Sequence, residues 1–399
     1  MKRLLLALYF ILWLCFSSFS RQTPDSLKNC SLRITLLTCA PGEELYSTFG
    51  HTAIRVQDSL AGVDAVYNYG TFEFAPDFYS KFIRGKLLYS LSVEAFPDFL
   101  YTYQVESRSV VEQELQLSCA EKIKLYSALQ INALEENRHY KYDFLFDNCT
   151  TRARDIVTNN TASPVKFNNI LPANVPSFRN LIHSYLDRGH EPWSKLGIDI
   201  LLGAKLDRKV TNLQSMFLPD YLLKGFDSAR VNGKYLVSAP APVLTMPSPL
   251  ASSGIFTPMV CFTLLFLVVL FLSLKKGKRT SRTLLIFDFL FFFILGLAGL
   301  LLLFMWFGTD HTVTSNNYNL AWALPTHVIM AFFIGKRSFW VLSYFKAVFW
   351  LSIILIITWF FLPQQLNLSL LPIALLITWR SWNLAKNPSY GTERDLNKG

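Results

Sequence analysis

The chain has 399 residues, 51% of them hydrophobic, six cysteines and a formal net charge of +10. Residues 21–252 balance 24 Lys+Arg against 24 Asp+Glu, whereas residues 253–399 carry an excess of +8 in short runs beside apolar stretches. That placement is a membrane-topology signal, so no nucleic-acid partner is expected.

Lys2 and Arg3 precede the apolar run Leu4 to Phe16, and Ser18-Phe19-Ser20 supplies small residues for signal-peptidase cleavage after Ser20. Residues 1–20 therefore read as a signal peptide that exports the domain beginning at residue 21. A lipid anchor on Cys15 is disfavoured because Leu14 stands where a small residue is needed.

Residues 21–237 read as an exported α+β domain, a mixed sheet with helices packed against it. Leu32–Thr38, Thr52–Gln57, Asp64–Gly70, Leu87–Glu94 and Val110–Leu117 are β-rich runs bounded by turn residues. Ala120–Glu135 carries helical spacing through Leu125, Ala128, Leu129 and Asn132. The stretch 238–254, "SAPAPVLTMPSPLASSG", reads as a linker.

An all-α membrane domain of about five spans is expected over 255–382, ending in a tail at 383–399. Ile255–Leu274, Leu284–Phe307 and Phe339–Leu362 are long enough to cross, for which roughly 20 residues are needed. Leu320–Gly335, with Pro325 and His327, and Leu366–Trp379 are marginal, the latter leaning on a snorkelling Arg380. Basic residues follow the first, third and fifth runs, while 308–318 and 363–365 have no Lys or Arg. By the positive-inside rule the basic loops and the C-terminus are cytoplasmic and 21–252 is outside, which agrees with the signal peptide.

The chemistry concentrates in "YDFLFDNCTTRARD", residues 142–155. Asn148 is a favoured N-cap, so Cys149 takes the first helical position, where free N–H groups and the positive helix end face its sulfur. Lowering a thiol from pKa ~8.5 to ~7 takes about 2 kcal/mol, whereas a helix terminus supplies ~0.3–1 kcal/mol. A partner base is therefore required. His51, opening a strand in "YSTFGHTAIRV", is the candidate, and Asn68 in "VYNYGTF" is a candidate to orient its imidazole. A disulfide framework among Cys30, Cys39, Cys119 and Cys149 is the structural alternative for the thiol. Metal-ligand spacings such as C-x-x-C are lacking, so no metal and no cofactor is expected. In "TDHTVTSNNYNLAWALPTH", Asp310, His311 and Asn319 gather at the outer face and His327 lies within an apolar run. Intramembrane ionisable groups are costly and often functional, so this loop is expected to cover the Cys149 site and seat a lipid headgroup or an amine.

"PGEELYSTFGHTAIRV", "YNYGTFEF", "FDNCTTRARD", "DILLGAKLDRK" with "MFLPDYL", and the 309–327 stretch resemble the Lnb family of bacterial lipoprotein N-acyltransferases over nearly the whole mature chain. The His-before-Cys order and the "NC" helix start also resemble circularly permuted papain-type enzymes such as the lecithin:retinol acyltransferase group. What the Lnb resemblance implies is an inner-membrane enzyme with a periplasmic papain-like domain. It would move a fatty acyl chain from a phospholipid donor, through a Cys149 thioester, to the α-amine of a diacylated lipoprotein acceptor. A thiol hydrolase acting as a phospholipase or amidase, or a noncatalytic envelope assembly factor, are the competing readings.

Overall fold

A computed structural model describes residues 30–44, 46–72, 76–247, 254–275, 277–336 and 338–386. The signal peptide read at 1–20 and the last residues of the tail lie outside the described residues.

The alternating runs form strands β1 (Leu32–Cys39), β2 (His51–Asp58), β3 (Val63–Thr71), β4 (Leu88–Ala95) and β5 (Val110–Glu114). Their neighbours β6 (His139–Lys141) and β9 (Ala241–Leu244) complete a seven-stranded sheet in the order β6-β4-β3-β2-β1-β5-β9, every ladder antiparallel. The two short strands β7 (Arg230–Val231) and β8 (Lys234–Tyr235) form a separate ribbon. Residues 241–244, expected in the linker, thus belong to the sheet. Pro242 is tolerated there because β9 is an edge strand, where a missing N–H costs no ladder bond on the outer side.

Both faces of the sheet are covered. One carries Leu37, Cys39, Ala53 and Val66 under Phe96, Phe99 and Tyr103 of helix α2 (Phe96–Val105), which follows the short α1 (Phe78–Ile83). The other packs Ile34, Ile54, Tyr67, Tyr69 and Leu91 against α3 (Cys119–Asn132), α4 (Cys149–Thr158) and α8 (Pro219–Asp227), the last preceded by α5 (Phe178–Arg188), α6 (Pro192–Leu201) and α7 (Asn212–Ser215). A Cys30–Cys119 disulfide ties the start of the domain to α3, and the domain's other two cysteines, Cys39 and Cys149, are free thiols.

The second half is helical: α9 (Pro258–Leu274), α10 (Lys278–Phe307), α11 (His327–Ala331), α12 (Phe339–Thr358) and α13 (Leu371–Lys386). Among the described residues three helices are long and apolar enough to cross a membrane: Lys278–Phe307, Phe339–Thr358 and Leu368–Lys386, while Pro258–Leu274 is shorter at 17 residues. The run Leu320–Gly335 is not a continuous helix. A 3₁₀ turn at Tyr318–Ala321, Pro325 and the five-residue α11 break it, and it lies directly on α10 instead. Contact is permitted by glycine: a Cβ at Gly296 would collide with the Val328 backbone nitrogen, and one at Gly299 with the Ala323 carbonyl oxygen. Irregular backbone at such depth is viable because protein buries it.

Arg380 does not snorkel. Its guanidinium is buried, donating to Asp288 Oδ1 at 2.7 Å and Oδ2 at 2.8 Å and to Ser273 Oγ at 2.7 Å. Pairing neutralises the charge inside the apolar half and pins α9, α10 and α13 together.

The two halves interlock at the C-terminal end of α6. Its last carbonyls have no helical partner and are taken by side-chain amides from the membrane half. Asn317 Nδ2 donates to Ile200 O at 2.7 Å, Asn319 Nδ2 to Asp199 O at 2.8 Å and Gln364 Nε2 to Leu202 O at 3.0 Å. The Asp199 carboxylate, 1% exposed, accepts from Arg179 at 2.7 Å, His183 at 2.8 Å and Asn367 at 2.9 Å. Burial acts to raise its pKa, but His183 and Arg179 outweigh that and hold it low. Arg179 keeps its ion pair with Asp207, but Asp199→Ala leaves the Arg179 Nη1, His183 and Asn367 donors buried without an acceptor and should cost about 3–5 kcal/mol. At ~2–4 °C per kcal/mol the thermal midpoint in detergent should fall on the order of 10 °C; an unchanged midpoint would refute this role.

Candidate active site

Cys149 opens α4 because Asn148 caps it. Asn148 Oδ1 accepts from Thr151 N at 2.8 Å, Thr151 Oγ1 accepts from Asn148 N at 2.8 Å, and Asn148 Nδ2 anchors on Phe144 O and Phe217 O. The cap is buried and fully bonded, so the helix start cannot drift. His51 opens β2 immediately after Gly50, whose φ of +78° lies in the left-handed region and whose missing side chain leaves room for Cys39 O, 2.7 Å from where a Cβ would be. The turn therefore needs glycine.

From β2 a line of polar side chains runs across neighbouring strands. His51 Nε2 lies 2.6 Å from Asn68 Oδ1 on β3, and Asn68 Nδ2 donates to Glu94 Oε1 on β4 at 3.0 Å. A carboxylate only accepts, so Glu94 turns the Asn68 amide with its oxygen toward the imidazole. An amide oxygen likewise only accepts, so Nε2 carries the proton and the nitrogen left for the thiol is Nδ1.

Burial would raise the Cys149 pKa, but the facing His51 charge and its hydrogen bond outweigh it. The Thr52 backbone N–H and the Thr150 hydroxyl, 3.7 Å away, add to them, and the thiol is brought down to about 7. His51 moves the opposite way: burial lowers it, and the Cys149 thiolate together with the bonds to Cys149 and Asn68 raises it above its ordinary value. Each charge stabilises the other. At Cys39, directly opposite His51 in the β1–β2 ladder, burial outweighs the Tyr103 hydrogen bond and the Arg108 charge and pushes the thiol up to about 12. Two cysteines of one domain thus differ by where they stand, one opening a capped helix against an imidazole and the other packed in the sheet core.

The other expected site residues separate into two groups. Asp310 Oδ2 accepts from Lys141 at 2.8 Å, His311 Nε2 donates to Phe82 O at 3.0 Å, and Thr312 donates to Asp143 at 3.2 Å. This outer loop therefore docks on both sides of Tyr142, a half-buried residue whose pKa is raised by desolvation and then by Cys149. Asn319 and His327 are not brought to Cys149. Asn319 is fully buried, accepting from Trp322 Nε1 at 2.9 Å while capping α6, so the structure gives it a packing role. His327 is buried in the membrane half, its Nδ1 hydrogen-bonded to Tyr344 Oη at 2.6 Å and its ring packed edge-on against Phe292. Glu94, the Thr52 N–H and Tyr140 are site features that no sequence motif announces. Among the described residues no group of His, Cys, Asp and Glu is arranged to hold a metal.

Two family models match this chain: the Lnb N-terminal periplasmic domain over residues 19–184 and the Lnb transmembrane domain over residues 251–387. The chain belongs to the Lnb family. The first match contains His51, Asn68, Glu94 and Cys149, and the second contains the docking loop. Family membership makes the Lnb chain a membrane protein with a periplasmic N-terminal domain, and it points to lipoprotein processing. No curated protein and no solved structure matches it significantly.

If His51 sets the thiol's ionisation, iodoacetamide alkylation of Cys149 should rise through an inflection at about pH 7, as the thiolate forms. In His51→Ala the inflection should move up toward the ordinary ~8.5. An inflection unmoved by that substitution would assign the shift elsewhere.

Proposed function

We propose that this chain is a lipoprotein N-acyltransferase working through a Cys149 thioester. The observation that carries the reading is the part-buried alignment of Cys149, His51 and Asn68, a depressed thiol facing an imidazole of defined tautomer. It is mounted on a membrane half whose outer loop docks beside the site.

In the first half-reaction the Cys149 thiolate attacks the carbonyl of a phospholipid acyl ester, forming an S–C bond and an oxyanion. Collapse breaks the ester C–O bond, and the glycerol oxygen leaves with the proton that His51 took from the thiol. In the second, the α-amine of a diacylglyceryl-cysteine attacks the thioester. The C–N bond forms and the amine proton passes to His51, then the thioester C–S bond breaks and His51 returns that proton to the Cys149 sulfur. The Cys149 backbone N–H at the helix start is one oxyanion donor. Glu94 and Asn68 are positioning residues, keeping Nδ1 aimed at sulfur.

Both substrates are lipid-anchored, and the periplasmic domain is held on the outer ends of the membrane helices by the α6 cap. Acyl donor and acceptor can thus reach one site without leaving the bilayer surface. Water is the competing acceptor, and the docked 309–312 loop is the element placed to limit it. The basic loops and the C-terminus lie on the cytoplasmic side in this reading.

Mass spectrometry of lipoprotein N-terminal peptides tests the reading. Cells expressing the wild-type chain should yield N-acylated peptides. Cys149→Ala should yield none, and Cys149→Ser almost none because a hydroxyl is far harder to ionise. N-acylation by Cys149→Ala at the wild-type level would eliminate the covalent route. Free fatty acid release with no N-acylated peptide would make the chain a hydrolase. In the same assay His311→Ala, losing one hydrogen bond of about 0.5–1.5 kcal/mol that seats the loop, should lower activity roughly two- to tenfold at unchanged protein level. Undiminished activity would show that the loop is only a connector.

A further inference from the structure

The Tyr140 hydroxyl is a polar atom with no evident use. Tyr140, on β6, is 6% exposed, and its Oη has no hydrogen-bond partner among the described residues. Burying an unpaired hydroxyl costs free energy, and native structures seldom leave one without a reason. Everything else about the side chain is well fixed. Its ring stands edge-on to Tyr69, centroids 6.4 Å apart. The Arg152 guanidinium lies over the ring at 3.5 Å, itself held by Asp147 at 2.6 and 2.9 Å.

What the hydroxyl faces is set by Gly70. The β3–β4 register shifts between Tyr69 and Thr71, and Gly70 sits in the bulge with φ +89°. A Cβ there would stand 3.5 Å from Cys149 Cβ and 3.9 Å from Tyr140 Oη. Because residue 70 has no side chain, Cys149 and the Tyr140 hydroxyl border the same small space. The hydroxyl is also kept protonated, since burial first and Cys149 second push its pKa up. It is therefore available as a donor and has nothing to donate to.

We infer that Tyr140 is a further catalytic residue, whose hydroxyl donates to the oxyanion formed when the Cys149 sulfur adds to an acyl carbonyl. As the C=O π pair moves onto oxygen, the O–H of Tyr140 and the N–H of Cys149 bond to it, and both are released when the carbonyl reforms. No proton is transferred to the oxyanion. The arrangement suits an ester or thioester carbonyl, and it serves both half-reactions because each passes through a tetrahedral centre on the same sulfur. The inference rests on the acyl-transfer reading.

Tyr140→Phe tests it in the full-length protein in detergent, since it keeps the ring, the Arg152 contact and the packing. Two rates on Cys149 are compared: acylation by p-nitrophenyl acetate, which passes through an oxyanion, and alkylation by iodoacetamide, which does not. Loss of one oxyanion donor typically costs roughly 10²–10³ in rate. Acylation should fall by that order while alkylation and its pH inflection stay at wild-type values. The thermal midpoint should hold or rise, because an unpaired buried hydroxyl is gone. Acylation within twofold of wild type would overturn the inference. So would a parallel fall in alkylation, which would place the effect on the thiol. A wild-type protein that p-nitrophenyl acetate acylates at Cys149 but that phospholipid vesicles never acylate would defeat the lipid-donor reading, and would leave the comparison of the two rates to decide Tyr140.

Discussion

The last carbonyls of α6, which lack helical partners, are the constraint on which the arrangement of the two halves depends. A helix ending in buried surroundings must have its last carbonyls bonded, and here Asn317, Asn319 and Gln364 of the membrane half do so. Asp199 in the same turn collects Arg179, His183 and Asn367, so the junction is charged, buried and satisfied at once. Such a network tolerates few alternative geometries, because any displacement leaves a buried charge unpaired. The periplasmic sheet is thereby held above the helices at a fixed attitude, and the 309–312 loop meets Phe82, Lys141 and Asp143 beside the Cys149 site.

Within the domain, the candidate site depends on local rules meeting across strands. Asn148 fixes the helix start, Gly50 fixes the entry to β2, and the antiparallel register brings His51, Asn68 and Glu94 into contact. Glu94 sets the Asn68 amide, the amide sets the imidazole tautomer, and the imidazole lowers the thiol. The helix terminus alone is too weak for a shift of this size, which is why the thiol needs the imidazole. Cys39, one strand over, shows the opposite outcome in the same domain, because burial there outweighs the Tyr103 hydrogen bond and the Arg108 charge.

Much of this was legible in the sequence. Five strands announced themselves by alternation and turn residues, and the Asn148–Cys149 step carried its cap chemistry in two letters. What stayed hidden depends on distant partners. β6 is three residues long and exists only because β4 pairs with it, so Tyr140 had no periodic signal. Glu94 is an ordinary strand carboxylate until the register places it behind Asn68. β9 lies in a Pro- and Ala-rich stretch that reads as linker, and an edge position is what admits it. Arg380 reads as a residue reaching for the interface, whereas Asp288, 92 positions away, holds it inside. Asn319 and His327 looked like site residues because polar groups near a bilayer often are, yet their bonds go to helix capping and packing.

The central claim is that Cys149 carries the acyl chain, and intact-protein and peptide mass spectrometry tests it most directly. The purified protein is incubated with phosphatidylethanolamine vesicles and no lipoprotein acceptor, then digested at low pH. The account predicts a Cys149 peptide heavier by one fatty acyl chain, cleared by neutral hydroxylamine and, in a parallel sample, by added diacylated lipopeptide, with the acyl mass appearing on the lipopeptide amine. Acylation of the lipopeptide with Cys149 unmodified at every time point, or an adduct that hydroxylamine does not remove, would contradict it.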